Sequence, residues 1–145
     1  MKRVVRTAAI AVPTVLMAAA LGLNAPKAAA MAAPDKNALA ACGSGYRLAA
    51  QTNINVSTGK ATSKMLVQVL RKGNTFCGVT LRKGSAKGHR GKTTIVANSG
   101  NFHGSDSGKY TTYAGPVKRK VASGKRITFQ GSVGSIVSPV LILRA

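Results

Sequence analysis

Short runs of alternating apolar and polar residues dominate the chain and predict strands. The run at residues 65–70 carries apolar side chains on both faces, which is typical of a strand inside a fold. A turn at residues 71–74 separates it from a second strand at residues 75–82, so the two predict a hairpin. In the second strand, one face carries Cys77, Val79 and Leu81 and is predicted to point to the core. The other face carries Phe76, Thr80 and Arg82.

The rest of the chain after residue 41 continues this pattern of short strands and turns. Two segments rich in glycine, residues 83–92 and 104–108, predict loops. No amphipathic helix of useful length is apparent. We therefore predict an all-β fold, a single small antiparallel sandwich or barrel of about 7–8 short strands. The other predicted strands are residues 46–51 (continued by 53–56), 93–97, 110–113, 116–121, 127–133 and 137–143.

The first 32 residues have the three-part pattern of a secretory signal peptide. A positive head (Lys2, Arg3 and Arg6) precedes an apolar run at residues 7–23, and small residues follow. We predict a signal helix that is cleaved before Ala33, with a cut after Ala30 as the alternative. An uncleaved membrane anchor is the other interpretation, but the run is shorter than the ~20 residues that a spanning helix needs.

After removal of the signal peptide, we expect a secreted protein whose mature chain has no transmembrane segment. We divide the sequence into a signal peptide (residues 1–32), a flexible leader (33–41) and one β-rich domain (42–145). Proline, aspartate and asparagine interrupt any apolar period in the leader. Cys42 and Cys77 are predicted to form a disulfide, since an even pair in an exported chain favours a bond. Two free thiols are the alternative.

Charge is the strongest chemical signal in the sequence. Cleavage would leave 18 of the 22 basic residues and both aspartates, which gives a net charge of +16. Such a surface attracts polyanions, so anionic cell-wall polymers, a spore surface and nonspecific nucleic acid are the candidate partners. A solvated basic surface with no specific ligand is the alternative. The candidate polyanion-binding residues are Arg71, Lys72, Arg82, Lys83, Lys87, Arg90, Lys92, Lys118, Arg119, Lys120, Lys125 and Arg126, mostly expected in loops.

Candidate catalytic and metal-binding residues are few. Asp35 and Asp106 are the only acids, which argues against a glycosidase pair of carboxylates. Residues 103–107 contain the residue types of a Ser-His-Asp triad, but we interpret the segment as a turn. His89 and His103 lack zinc-site spacing, and residues 84–91 lack the phosphate-binding glycine motif. We predict no catalytic site, no metal and no cofactor, and keep a small hydrolase as the weakest hypothesis.

Three segments resemble the spore-associated protein A family of small secreted actinobacterial proteins: residues 41–46, 74–80 and 106–117. The resemblance implies secretion, association with spores or aerial hyphae, and no established enzymatic role. It also supports the pairing of Cys42 with Cys77. The chain lacks the second cysteine pair that members usually carry near the C terminus, where Arg126 stands instead.

Together these features favour a secreted non-enzymatic protein that associates with the spore or cell surface through its basic charge. The alternative is a released cationic protein that binds polyanions or is antimicrobial.

Overall fold

In the computed structural model of the chain, residues 32–59 and 61–145 are described. All of the predicted signal peptide except Ala32 lies outside these residues. The described part contains one short helix and nine strands. Their bounds are α1 Lys36–Cys42, β1 Arg47–Thr58, β2 Ala61–Lys72, β3 Thr75–Gly84, β4 Gly91–Ser99, β5 Phe102–Tyr110, β6 Tyr113–Lys120, β7 Arg126–Val133, β8 Ile136–Val137 and β9 Leu141–Arg144.

Two antiparallel sheets pack face to face as a sandwich, which confirms the all-β prediction. The first sheet has the order β1-β2-β3-β6, and the second has the order β5-β4-β7, with β8 and β9 both paired to β7. The strand predicted at residues 137–143 is interrupted by Pro139, which cannot donate a backbone hydrogen bond. The interruption lies on an edge strand, where a missing donor is tolerated.

The main core lies between the two sheets. Phe76 and Met65 of the first sheet meet Ile95, Ile127 and Phe129 of the second, and all five side chains are buried. The predicted alternation in residues 65–70 and 75–82 is confirmed, because consecutive residues there enter different core clusters.

Glycine allows the two sheets to approach closely at their centre. A Cβ added at Gly78 would clash with the ring of Phe129, and one added at Gly131 would clash with Thr80 and Val67. The inner faces of β3 and β7 therefore have no room for a larger residue at these two positions.

A second, smaller core lies on the outer face of the first sheet, under α1. Ala38 and Cys42 of α1 are buried against Leu70 and Leu81. The predicted disulfide is confirmed: Cys42 is bonded to Cys77, and their Cα atoms are 6.0 Å apart. The bond fixes the helix to the middle of the first sheet.

The prediction of a flexible leader is wrong for most of residues 33–41. The helix α1 begins at Lys36, and the Asp35 side chain caps it by accepting a hydrogen bond from Asn37 N at 2.9 Å. Tertiary contacts explain the difference, since a seven-residue helix is not stable alone but gains a buried alanine and a disulfide here.

The predicted loop at residues 104–108 is also wrong, because the segment is the centre of β5. Gly104 and Gly108 face inward, and the rings of Phe102 and Tyr110 fold over them at distances that leave no space for a Cβ. The two aromatic rings therefore cover the surface that glycine leaves open, and the strand keeps its pairing with β4 through all nine residues.

The strand predicted at residues 110–113 is broken at its middle. Tyr110 ends β5, Tyr113 begins β6, and the chain bends between them at residues 111–112. The carbonyl of Thr111 accepts from Gly88 N at 3.0 Å, and that of Thr112 accepts from Arg82 N at 2.8 Å. No sheet pairing fixes the backbone at this bend, and these two hydrogen bonds from β3 and the β3–β4 loop fix it instead.

Candidate polyanion-binding site

Basic residues gather at the two opposite ends of the sandwich, and most of them lie in strands and not in the loops that we expected. We call one group the basic end and the other the loop end. The basic end consists of Arg47, Arg71, Lys72, Lys118, Arg119, Lys120, Lys125, Arg126 and Arg144. The loop end consists of Lys64, Arg82, Lys83, Lys87, Arg90, Lys92 and Lys109.

The pairing register of the strands brings the residues of the basic end close together. Arg47 of β1 pairs with Arg71 of β2, and Arg126 of β7 pairs with Arg144 of β9. The two sheets are joined there as well, because the Arg71 guanidinium donates to the Arg144 carbonyl at 3.4 Å. Sequence reasoning missed Arg47 and Arg144, which stand alone among uncharged residues, and only the register reveals their neighbours.

Three cations of the basic end lie over aromatic rings, a contact that fixes a long side chain and keeps its charge available. The stacked pairs are Arg71 on Phe76 (5.1 Å from the ring centroid), Arg119 on Phe102 (4.6 Å) and Lys118 on Tyr46 (5.7 Å). The aromatic residues therefore orient the basic end and are not free to stack on bases of a single-stranded nucleic acid.

Two clefts open at the basic end. One has a volume of about 410 Å³ and is lined by four cations: Arg119, Lys120, Lys125 and Arg126. The other is a groove of about 680 Å³ between β1 and β9, where Arg47, Arg71 and Arg144 lie beside apolar side chains. Both clefts therefore combine concave shape with several donors that suit phosphate or carboxylate oxygens.

Neither aspartate of the chain lies at the basic end. Asp35 instead forms an ion pair with Lys83 of the loop end. Burial raises the pKa of Asp35, but hydrogen bonds from Lys83 and from Asn37 N, together with the charge of Lys83, lower it more, so its pKa lies below the usual value. Asp35 is therefore ionised at neutral pH and offsets one cation of the loop end.

Asp106 is held inside the second half of the molecule by two short hydrogen bonds. It accepts from the Tyr110 hydroxyl at 2.6 Å and from Gly115 N at 2.6 Å. The bond to Asp106, then desolvation and the negative charge, raise the pKa of Tyr110. The carboxylate therefore links the middle of β5 to the start of β6, and it does not lie at the basic end.

The prediction that Arg82 binds polyanions is wrong, because Arg82 is buried between the sheets. Its guanidinium donates to the Ala86 carbonyl at 3.0 Å, to Thr93 Oγ1 at 2.9 Å and to the Lys92 carbonyl at 3.3 Å. Burial lowers the pKa of Arg82 from its usual value. Its role is structural, since it ties the β3–β4 loop to β4.

The candidate triad residues do not converge. Along β5, His103 is exposed on one face and hydrogen-bonds Asn98 through Nδ1 at 2.6 Å, whereas Asp106 points to the other face. Within residues 32–59 and 61–145, no group of three or more histidine, cysteine or acidic side chains is placed to bind a metal ion. No helix in this part of the chain is long and apolar enough to cross a membrane.

Comparison with family models, with curated proteins and with solved structures found no match to this chain. The resemblance to the spore-associated protein A family therefore stays a prediction.

Proposed function

We propose that the mature domain is a secreted, non-enzymatic protein that binds anionic polymers of the cell or spore surface through its basic end. The observation that carries the proposal is the assembly of nine cations at one end of a rigid sandwich, with both aspartates of the chain bound elsewhere. Because no aspartate or glutamate side chain of the described residues lies at the basic end, a polyanion there gains favourable contacts and releases its counterions.

The shape of the basic end supports a polymer better than a small anion. Two clefts of about 410 and 680 Å³ lie at the same end, and cations between and around them continue the positive surface. A repeating phosphate or carboxylate chain can occupy several of these sites at once, which raises its affinity over that of one isolated anion. Anionic wall polymers have this chemistry, and nucleic acid shares it.

Salt extraction tests the proposal. Protein bound to isolated, membrane-free cell walls and to immobilised polyphosphate is expected to elute as salt rises, because at 1 M the Debye length falls to about 3 Å. The logarithm of the binding constant should decrease linearly with the logarithm of salt concentration, by about 0.7 for each phosphate contacted. Retention of the protein on both supports in 1 M salt contradicts electrostatic binding.

A further inference from the structure

A strip of exposed aliphatic side chains lies along the edge strand formed by β8 and β9. Val137, Val140 and Ile142 are 56%, 49% and 61% exposed. Ile142 lies opposite Thr128 of β7 and alternates with Leu141 and Leu143, which pack on the core. Ile142 therefore points away from the core, on the outer face of the second sheet. A row of large apolar residues on an otherwise polar and basic surface marks an interaction site.

The strip is continuous with the arginine groove between β1 and β9. Ile142 lines this groove together with Arg47, Arg71 and Arg144. The apolar surface therefore begins where the positive charge ends, with no acidic residue between them. This layout, a cationic cleft that leads into an aliphatic strip, is complementary to an amphiphile with a negative head.

Neighbouring groups of the protein already hold the Arg71 side chain in one position. Its Nε donates to the Gly73 carbonyl at 2.6 Å, and a terminal nitrogen donates to Asn74 Oδ1 at 3.2 Å. The guanidinium carbon lies over the ring of Phe76, 5.1 Å from its centroid. With the bond to the Arg144 carbonyl, one N–H on each of the three guanidinium nitrogens is engaged, and one N–H on each terminal nitrogen is left for a ligand. A fixed guanidinium binds a phosphate with less loss of entropy.

We propose that this surface docks on membranes that contain anionic phospholipid. The phosphate of a headgroup binds Arg47, Arg71 and Arg144 in the groove, and Val137, Val140 and Ile142 enter the acyl boundary of the leaflet. A hydrophilic polymer uses the arginines equally well but leaves the three aliphatic side chains in water, so the strip favours lipid. The inference builds on the proposed function, because both use cations of the basic end.

Vesicle binding tests the role of the strip. Full mature protein is mixed with vesicles of phosphatidylglycerol and phosphatidylcholine in equal parts, or of phosphatidylcholine alone, and bound protein is measured by sedimentation. We expect binding only to the anionic vesicles. The double variant Val140→Ser and Ile142→Ser is expected to bind them about tenfold more weakly, since it removes two aliphatic side chains that enter the leaflet.

The matched control is Val96→Ser, the same type of change at a partly exposed position on the same face of the second sheet, in β4, which β7 separates from the strip. It should bind anionic vesicles within twofold of the unaltered protein. Equal binding by the double variant and the control overturns the inference. A third variant, Arg47→Gln with Arg144→Gln, is expected to weaken vesicle binding as well, and unchanged binding overturns the role of the groove.

Two further measurements are needed. The first distinguishes binding of a lipid from binding of its phosphate group alone, and the second distinguishes failure of this inference from failure of the proposed function. Soluble glycerol phosphate at millimolar concentration is expected to leave the vesicle complex intact, and complete displacement overturns the lipid assignment. The double variant Val140→Ser and Ile142→Ser should retain full binding to polyphosphate. Protein that binds polyphosphate but not anionic vesicles overturns the inference alone, and protein that binds neither overturns the proposed function too.

Discussion

The basic end and the loop end of the sandwich carry the same kinds of residue but use them differently. At the loop end, Arg82 is buried between the sheets and Lys83 is bound to Asp35. Two of its cations therefore stabilise the fold. At the basic end, Arg71 and Arg119 lie over aromatic rings that hold them without neutralising them. Position in the sheet, and not residue type, decides whether a cation contributes to stability or is available to a ligand.

Substitution of Arg82 should give the largest change in stability. Arg82→Ala leaves a buried carbonyl at Ala86 and a buried hydroxyl at Thr93 without their donor, so we expect the free energy of unfolding to fall by about 3 kcal/mol. Urea unfolding measures the change. The exposed Arg90→Ala is the control and should cost less than about 0.5 kcal/mol. Equal losses from the two variants contradict the structural role of Arg82.

The ion pair between Lys83 and Asp35 predicts a smaller effect that depends on pH. Relative to Lys87→Gln, which removes an unpaired exposed charge, Lys83→Gln is expected to lower stability by about 1 kcal/mol at pH 7. Because the folded state lowers the pKa of Asp35 below 3.8, its contribution is complete above pH 3.8. It is lost as pH falls through the lower folded pKa.

Urea unfolding of both variants at pH 7 and pH 2 checks this prediction. The difference between Lys83→Gln and Lys87→Gln should be smaller at pH 2 than at pH 7, because protonation of Asp35 removes the ion pair. A difference of the same size at both pH values indicates that the Lys83 charge does not act through Asp35.

At the basic end, Arg119→Lys separates stacking from charge. The lysine keeps the positive charge but loses the guanidinium contact over the ring of Phe102, so we expect a stability loss of about 0.5 kcal/mol. Affinity for polyphosphate should remain within twofold of the original. A decrease in affinity as large as that from charge removal means that the planar guanidinium itself is required.

Tyr110 offers the smallest and most local test. The hydrogen bond to Asp106 raises its pKa above 10.0, so its contribution to stability is complete below pH 10.0 and is lost as pH rises through the folded pKa. Titration of tyrosine absorbance should show a late component that ionises above pH 10.0 and comes from Tyr110. Tyr110→Phe removes that late component, and a curve that keeps it contradicts the assignment.

Alternation in the sequence separates the two faces of the central strands correctly, but it does not show which face meets the other sheet. The predicted core face of residues 75–82 lies under α1. In residues 75–82 it placed Arg82 on the same face as Phe76, which is the face that is buried between the sheets. The signal for a buried arginine was therefore present, but the charge favoured a surface position. The helix α1 could not be predicted from residues 36–42, because its stability comes from the disulfide and from packing on the first sheet.

The candidate site could be predicted only in part. Lys118, Arg119 and Lys120 are adjacent in sequence, and their grouping was evident. Their meeting with Arg47 and Arg144 depends on strand order and register, which no local pattern encodes. The strand β5 could not be predicted because glycine disfavours strands. Here the aromatic rings of β5 cover its two glycines and stabilise the strand.

A matched removal of three charges from each end tests the central claim most directly. Two triple variants are compared, all with changes at exposed positions. The basic-end variant carries Lys118→Gln, Lys120→Gln and Lys125→Gln, and the loop-end variant carries Lys87→Gln, Lys92→Gln and Lys109→Gln.

Binding to polyphosphate is measured for both variants over a range of salt concentrations. The basic-end variant should lose at least tenfold in affinity and about 2 in salt slope. The loop-end variant should change less than threefold. Equal losses from the two variants contradict a localised site and leave only the overall charge as the cause of binding.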